Sequence, residues 1–372
     1  MSTPTRIGFI GLSPTGGSSG TGSWASRSHL PYLQSDRNAG KYKIGALQNS
    51  SKASAEKAAS KLELNDVTCY GKPEDIANSD VNVIAVSVNV PGHYDTVMPA
   101  LNAGKDIFVE WPLARNLKDA EEMTSLAKEK NLRTLVGLQA RQNPSVVALK
   151  KMVDSGDLGE ILGTTMHGYG GVGGAMMPKD FAYGFPLENG ANLLTIPFGH
   201  AIDAMCYVLG EMDYVSATLA NRRPKFQVIN SEGKVVGEDT KTSHDYVSIN
   251  GTLQKSGGVV TAIYEGGMNP SGGPSFFWQV NGTKGTVVLE GAMGHLQMFQ
   301  PKVKFAKAGE EAKDLEVQWV GNDVSYAVGE AWNAFAGKGD GHVTTFEDAL
   351  LRHKMLDAIY KSNESGKREK YV

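Results

Sequence analysis

Three stretches of the 372-residue sequence carry residue types that can do chemistry. The first, Ile7-Gly8-Phe9-Ile10-Gly11-Leu12-Ser13, is an apolar run broken by glycines near the start of the chain. A strand that ends in Gly-x-Gly-x-x-Gly lets bare backbone approach a diphosphate and lets a helix pack closely behind it. Ser13 stands where the second glycine belongs, and a glycine- and serine-rich run, Pro14–Ser23, follows. Gly11, Leu12 and Ser13 are expected at the phosphates of a dinucleotide; a plain surface loop is the competing reading. The second stretch, IFVEWPLAR at 107–115, leaves a short strand through Glu110, Trp111 and Pro112. An indole N–H donates a hydrogen bond but does not titrate at useful pH, so Trp111 is no acid or base. Its flat apolar face suits stacking on, or walling, a planar ring. Glu110 is expected to touch the cofactor or to support the turn. The third stretch places His200 in Phe198-Gly199-His200-Ala201-Ile202-Asp203, a mostly apolar helical segment. An ordinary imidazole pKa near 6.5 suits proton transfer, while a satisfied core histidine is the alternative.

The elements that must hold these residues fall into two patterns. Up to about Arg141, strand-like runs alternate with helical ones, as in a parallel α/β sheet. The strands are Arg6–Leu12, Tyr42–Leu47, Val81–Val86, Asp106–Val109 and Thr134–Leu138. Helical spacing covers Lys52–Leu62, His93–Ala103 and Leu117–Lys130, with Asn116 as cap, Asp119 three residues on, and Gly104 as a stop. The second strand ends Leu47-Gln48-Asn49-Ser50-Ser51-Lys52 without an acid for a ribose 2′-hydroxyl. Asn49, Ser50 and Lys52 therefore point to NADP, with NAD as the other candidate. After Arg141 strands follow one another at Ile161–His167, Tyr214–Asn221, Asp245–Leu253, Val259–Glu265, Phe276–Asn281, Thr286–Glu290 and Leu296–Gln300. Helices Ala191–Leu209 and Thr345–Asn363 accompany them. The expectation is a Rossmann dinucleotide-binding domain over 1–141 and, over 142–372, an α+β domain with a large, mostly antiparallel open sheet for substrate or partner and for dimerisation.

Composition narrows the classes. Hydrophobic residues at 41% and charged residues at 21% fit a globular chain, and a net charge of -3 argues against direct nucleic-acid binding. Cys69 and Cys206 lack metal-ligand spacing, so no metal is expected and a reducing compartment fits best. Neither a signal peptide nor a bilayer-spanning run is read, and the protein is expected in the cytoplasm, with the nucleus as the alternative.

Longer segments carry a resemblance over nearly the whole chain: GFIGLS with WASRSHLPYL, VSVNVPGHYDTVMPAL at 87–101, FVEWPLA at 108–114, Gln139-Ala140-Arg141, LLTIPFGHAIDAM at 193–205, NGTKGTVVLEG at 281–291 and EDALLRHKMLDAIYKSN at 347–363. They resemble the glucose-fructose oxidoreductase and inositol dehydrogenase family, and within it the branch of the fungal galactose-regulon repressor. The resemblance implies the same two-domain fold. It also implies cofactor contacts at Trp24, Val88, His93 and Gln139, with helix capping as the other reading of His93, and a substrate contact at Tyr183, for which a buried aromatic is the plainer reading. Family enzymes carry Glu-Lys-Pro after the fifth strand and an Asp four residues before a histidine. Here Trp111 replaces the lysine and Ile196 the aspartate, while His200 keeps the histidine.

Two functions follow. One is an NAD(P)-dependent oxidoreductase moving hydride to or from a small carbonyl, sugar-like or secondary-metabolite substrate, with His200 or Tyr183 handling the proton. The other is a non-enzymatic dinucleotide-binding regulator that holds an acidic activator protein. The enzyme is favoured, because the resembled repressor is longer, with inserts this chain lacks. A homodimer is expected in either case.

Overall fold

The computed structural model describes residues 3–14, 23–320, 323–337 and 342–372; residues 15–22, most of the expected glycine- and serine-rich run, lie outside the described residues. Two compact units emerge. The first comprises Met1–Leu138, Glu188–Gly190 and Val324–Leu350, and the second Gln139–Leu187, Ala191–Asp323 and Leu351–Val372. The first break falls three residues before the expected 141/142, and the return of Val324–Leu350 to the first unit has no counterpart in the sequence reading.

In the first unit, runs such as Val83–Val86 and Thr134–Gly137 are buried at every position, which is what a parallel sheet covered on both faces requires. Six strands form it: β1 (Thr5–Ile10), β2 (Tyr42–Gln48), β3 (Thr68–Tyr70), β4 (Val83–Val86), β5 (Asp106–Glu110) and β6 (Thr134–Gly137). All pairs are parallel, in the order β3-β2-β1-β4-β5-β6. The order reverses between β1 and β4, and ligands of open α/β sheets bind outside the carboxyl ends of the strands at such a reversal. Helices α1 (Trp24–Ser28), α2 (Leu30–Leu33), α3 (Lys52–Lys61), α4 (Pro73–Ala77), α5 (His93–Asn102) and α6 (Leu117–Glu129) connect the strands. Asn116 caps α6 as expected, its Oδ1 accepting from the Asp119 amide at 2.8 Å. Ser51 caps α3 in the same way through the Ser54 amide. The returning segment supplies the helix Tyr326–Phe335, whose fully buried Trp332 packs with Ile7, Phe9, Tyr42 and Phe108. It is pinned by the Val136 amide on the Thr344 carbonyl and the Phe346 amide on Thr134 Oγ1.

The second unit opens with α7 (Pro144–Asp154). Its large sheet contains β7 (Ile161–Tyr169), β9 (Met212–Ala220), β12 (Tyr246–Leu253), β13 (Val259–Glu265), β14 (Phe276–Gly282), β15 (Gly285–Gly291), β16 (Lys302–Lys307) and β17 (Lys313–Leu315). The order is β17-β16-β15-β14-β7-β13-β12-β9, antiparallel throughout except where β13 runs parallel to β7. Alternating burial, as in Phe276–Gly282, marks a sheet with one face turned to a core. A small sheet absent from the sequence reading pairs β8 (Met176–Pro178), β10 (Lys225–Ile229) and β11 (Val235–Thr240). Two expectations need correction. Leu296–Gln300 is a turn, because the Met298 and Phe299 amides both donate to the His295 carbonyl and Pro301 follows. Ala191–Leu209 is not one helix: Pro197 has no N–H, so Phe198 reaches back to the Leu193 carbonyl in a widened turn before α8 (Gly199–Leu209) begins. The helices α9 (Tyr326–Phe335, above) and α10 (Phe346–Ser365) close the element order.

Candidate functional site

At the end of β1 the chain must turn without a side chain. Gly11 has a φ of 91°, and a Cβ there would overlap the Ser87 carbonyl oxygen at the end of β4. Leu12 is buried, and its carbonyl accepts from Asn49 Nδ2 at 3.0 Å. The Ser13 amide donates to Ser23 Oγ at 3.0 Å while the Ser23 amide donates to the Ser13 carbonyl. Ser26 Oγ also donates to that carbonyl. These bonds form a neck that returns the chain to Trp24, half-buried with the Arg27 guanidinium over its ring, so that α1 still starts at the β1 turn. At the end of β2, Asn49 is buried and spends its amide on Leu12, whereas Ser50 and Lys52 are exposed. Gln48 Oε1 is buried without a partner among the described residues, an acceptor that a ribose hydroxyl can satisfy. The glycine wedge and this orphaned acceptor fit a dinucleotide at the β1/β4 reversal.

Val88 is half-buried after β4. The fully enclosed ring of His93 stands with Nδ1 2.9 Å from the Pro112 carbonyl and Nε2 3.0 Å from that of Val88. Burial pushes its pKa below the usual value despite those carbonyls and the nearby Glu110. His93 therefore stands between the turn after β5 and the turn after β4, and as a neutral ring it donates its single N–H to one of the two carbonyls. Trp111 is buried at 4% exposure, a wall rather than an open stacking platform.

Glu110 ends β5 with its side chain 12% exposed, and its Oε1 lies 2.5 Å from His29 Nε2. On the other side of that ring, Trp332 Nε1 donates to His29 Nδ1 at 3.1 Å. An indole nitrogen can only donate, so His29 Nδ1 must be unprotonated, and the single imidazole proton sits on Nε2, facing the carboxylate. His29 is thus a neutral donor to Glu110, held on edge among Phe9, Phe108 and Trp332. Room for the second carboxylate oxygen comes from Gly137, where a Cβ would stand 2.6 Å from Oε2. Sequence reading missed His29, Trp332 and Gly137. They lie far from Glu110 along the chain, beyond any spacing rule.

In the second unit, Gln139 is buried with Oε1 unpartnered among the described residues. His200, on the first turn of α8, is buried at 4% exposure, and its Nδ1 has no hydrogen-bond partner among the described residues. Burial pushes its pKa down to about 3, with His295 acting in the same direction and Asp203 against it. Asp203 is the nearest acid along α8, but both its oxygens are taken by Arg141, at 2.8 Å each, and Arg352 adds a contact of 3.4 Å. Arg352 in turn holds Glu211 at 2.6 Å, and the Tyr371 hydroxyl donates to Glu211. His200 is therefore a neutral imidazole that no acid orients among the described residues. Tyr183 is half-buried in the short turn Lys179–Gly184, and burial raises its phenol pKa. His295 is fixed by Gln297 Nε2, which donates to its Nδ1 at 3.1 Å.

Comparison with known proteins adds two family models. Residues 17–138 match an oxidoreductase family with an NAD-binding Rossmann fold, and residues 144–291 match the Gal80p C-terminal domain. A dehydrogenase of Aspergillus oryzae, aclE, is 31% identical over 100% of this chain and 99% of that protein. The galactose/lactose metabolism regulatory protein GAL80 of Saccharomyces cerevisiae is 27% identical over 98% of this chain and 93% of that protein. The crystal structure of a super-repressor mutant of Gal80p from the same yeast superposes with a TM-score of 0.90 at 25% identity, covering 99% of this chain and 98% of that one.

Proposed function

This chain belongs to the oxidoreductase family with the NAD-binding Rossmann fold, and on that premise we propose that it binds NADP, or NAD, and moves hydride to or from a small carbonyl, sugar-like or secondary-metabolite substrate. The observation that carries the reading is Gly11, wedged against Ser87 at the β1/β4 reversal with Asn49 holding the next carbonyl. A bound nicotinamide dinucleotide supplies the hydride chemistry. Gly11, Leu12 and Ser13 would take its phosphates, with Trp24, Asn49, Ser50 and Lys52 toward the adenosine. Val88, Glu110 and Trp111 would form the nicotinamide side, shaped by His93, with Gln139 following β6. His200 offers a neutral imidazole to a substrate oxygen; as an imidazolium it would need an anionic group to offset its burial. Tyr183, kept as a phenol by burial, is the second proton donor.

A non-enzymatic regulator that binds the dinucleotide and an acidic activator is the second reading. It is supported by Trp111 in the place of the family lysine, by the absence of an acid serving His200, and by the likeness to Gal80p over its length. Absorbance at the reduced-nicotinamide band, followed with a panel of carbonyls and polyols, separates the two. Turnover lost in His200→Ala supports the enzyme; tight cofactor binding without turnover, together with saturable binding of an acidic activator peptide, supports the regulator. A lower Kd for NAD than for NADP would remove the NADP preference. In either case the open face of the large sheet is proposed to pair two copies, which light scattering at two concentrations tests. The cytoplasm, or the nucleus for the regulator, is the proposed location.

A further inference from the structure

We infer that Glu110, oriented by the positioning residues His29 and Trp332, makes this protein prefer the oxidised dinucleotide over the reduced one. The inference rests on the dinucleotide reading above and concerns the first unit alone.

A dinucleotide that crosses a β1/β4 reversal places its phosphates at the first strand-to-helix turn and one nucleoside at the end of the second strand. The Gly11 turn and the Asn49–Lys52 segment fill those two positions, so the other nucleoside belongs over the carboxyl ends of β4, β5 and β6. Glu110 is the last residue of β5, and its carboxylate is only partly screened by water.

The neighbours decide how much of that negative charge remains. A histidinium beside the carboxylate would cancel it, but Trp332 Nε1–H occupies His29 Nδ1 and keeps the imidazole neutral. His93, the other histidine nearby, has its ring buried between two carbonyls. Glu110 makes no ion pair with lysine or arginine among the described residues. A full negative charge therefore stands in a sheltered position, fixed on one side by His29 and on the other by the glycine at 137. The oxidised nicotinamide ring carries a positive charge and the reduced ring none, while the rest of the dinucleotide is the same in both. A fixed carboxylate on that side separates the two forms by electrostatics alone.

The test is a set of four dissociation constants, for NADP and NADPH and for NAD and NADH, measured by calorimetry on the full chain. Glu110→Gln keeps the shape and a hydrogen-bonding oxygen but removes the charge. It is expected to lower the oxidised-over-reduced preference on the order of tenfold, with the affinity for the reduced form changing less than about twofold. Trp332→Phe removes the donor that fixes which ring nitrogen His29 turns to Glu110. It is expected to lower the same preference, and to lower it no further in a Glu110→Gln background, a coupling that lost packing alone does not produce. Equal loss of both forms in Glu110→Gln, or an unmoved ratio, overturns the inference and leaves the dinucleotide reading standing. A wild-type chain that binds none of the four removes both.

Discussion

His29 and His200 are both buried histidines, one in each unit, yet they differ in how many of their ring atoms are spoken for. His29 has a donor on one nitrogen and an acceptor on the other, so its tautomer is determined. His200 has Nδ1 buried with no partner among the described residues, and the acid three residues along is bound to arginine. Burial is the same for both, so burial alone does not mark a residue as available to a ligand; the unused hydrogen-bonding capacity does. An orphaned buried polar atom costs about 1–3 kcal/mol, a strain that a ligand or water can relieve.

The comparison can be broken in several ways. The largest effect is expected from Asp203→Ala, which would take from the buried Arg141 guanidinium both of its bonds to this carboxylate, while Arg352 keeps Glu211. A loss of about 3–5 kcal/mol in a denaturant titration is anticipated. A change below 1 kcal/mol would mean that the arginines do not depend on Asp203 and that the aspartate is free for His200.

Next comes the histidine pair itself. His29→Phe keeps the ring but strands the Trp332 and Glu110 groups, with an expected cost of about 2–3 kcal/mol. His200→Phe removes an atom that already lacks a partner, and its stability should stay within about 1 kcal/mol of the parent. Equal costs would erase the distinction.

A pH titration of stability sharpens it further. With a folded-state pKa of about 3 against about 6.5 unfolded, His200 takes up its proton first in the unfolded chain. Its contribution is present above pH 6.5 and is lost as pH falls toward 3, with about 2 kcal/mol already lost at pH 5. His93, His244 and His295 are shifted in the same direction by burial. The acid limb of a melting-temperature profile should flatten in His200→Phe by close to one proton. An unchanged slope would show that His200 is hydrated in solution.

The smallest effect is expected from Gly137→Ala. The new methyl group would push on the end of the Glu110 side chain, which can yield, so the cost is about 1 kcal/mol. In a His29→Phe background that cost should shrink, because the carboxylate is no longer held in place; additive costs would show the two contacts to be independent.

The sequence made the alternating elements of the first unit legible because each strand is a short apolar run and each helix carries local caps that act over three or four residues. Asn116 with Asp119 is one such case. Gly11, Asn49 and Glu110 were legible for the same reason, as the ends of strands. What sequence could not carry was pairing at long range. The His29, Glu110 and Trp332 cluster joins three elements whose separation no periodicity records. The turn at Leu296–Gln300 misled because Leu296, Met298 and Phe299 crowd apolar side chains into a short run, although only Leu296 of them is buried and the amides bond locally. The β10–β11 pair was missed because β11 is exposed at every position and shows no alternation.

The return of Val324–Leu350 to the first unit has a consequence for how the protein is made. Every strand of the parallel sheet has been synthesised once Leu138 is added, but the indole that fills the gap between Phe9, Tyr42 and Phe108 is encoded about 190 residues later. At 5–20 residues per second that is a wait of ~10–40 s with an unfilled core. During this interval the nascent sheet presents an aromatic-lined groove shaped for its own missing helix, a surface on which a chaperone, or a second nascent chain, can compete.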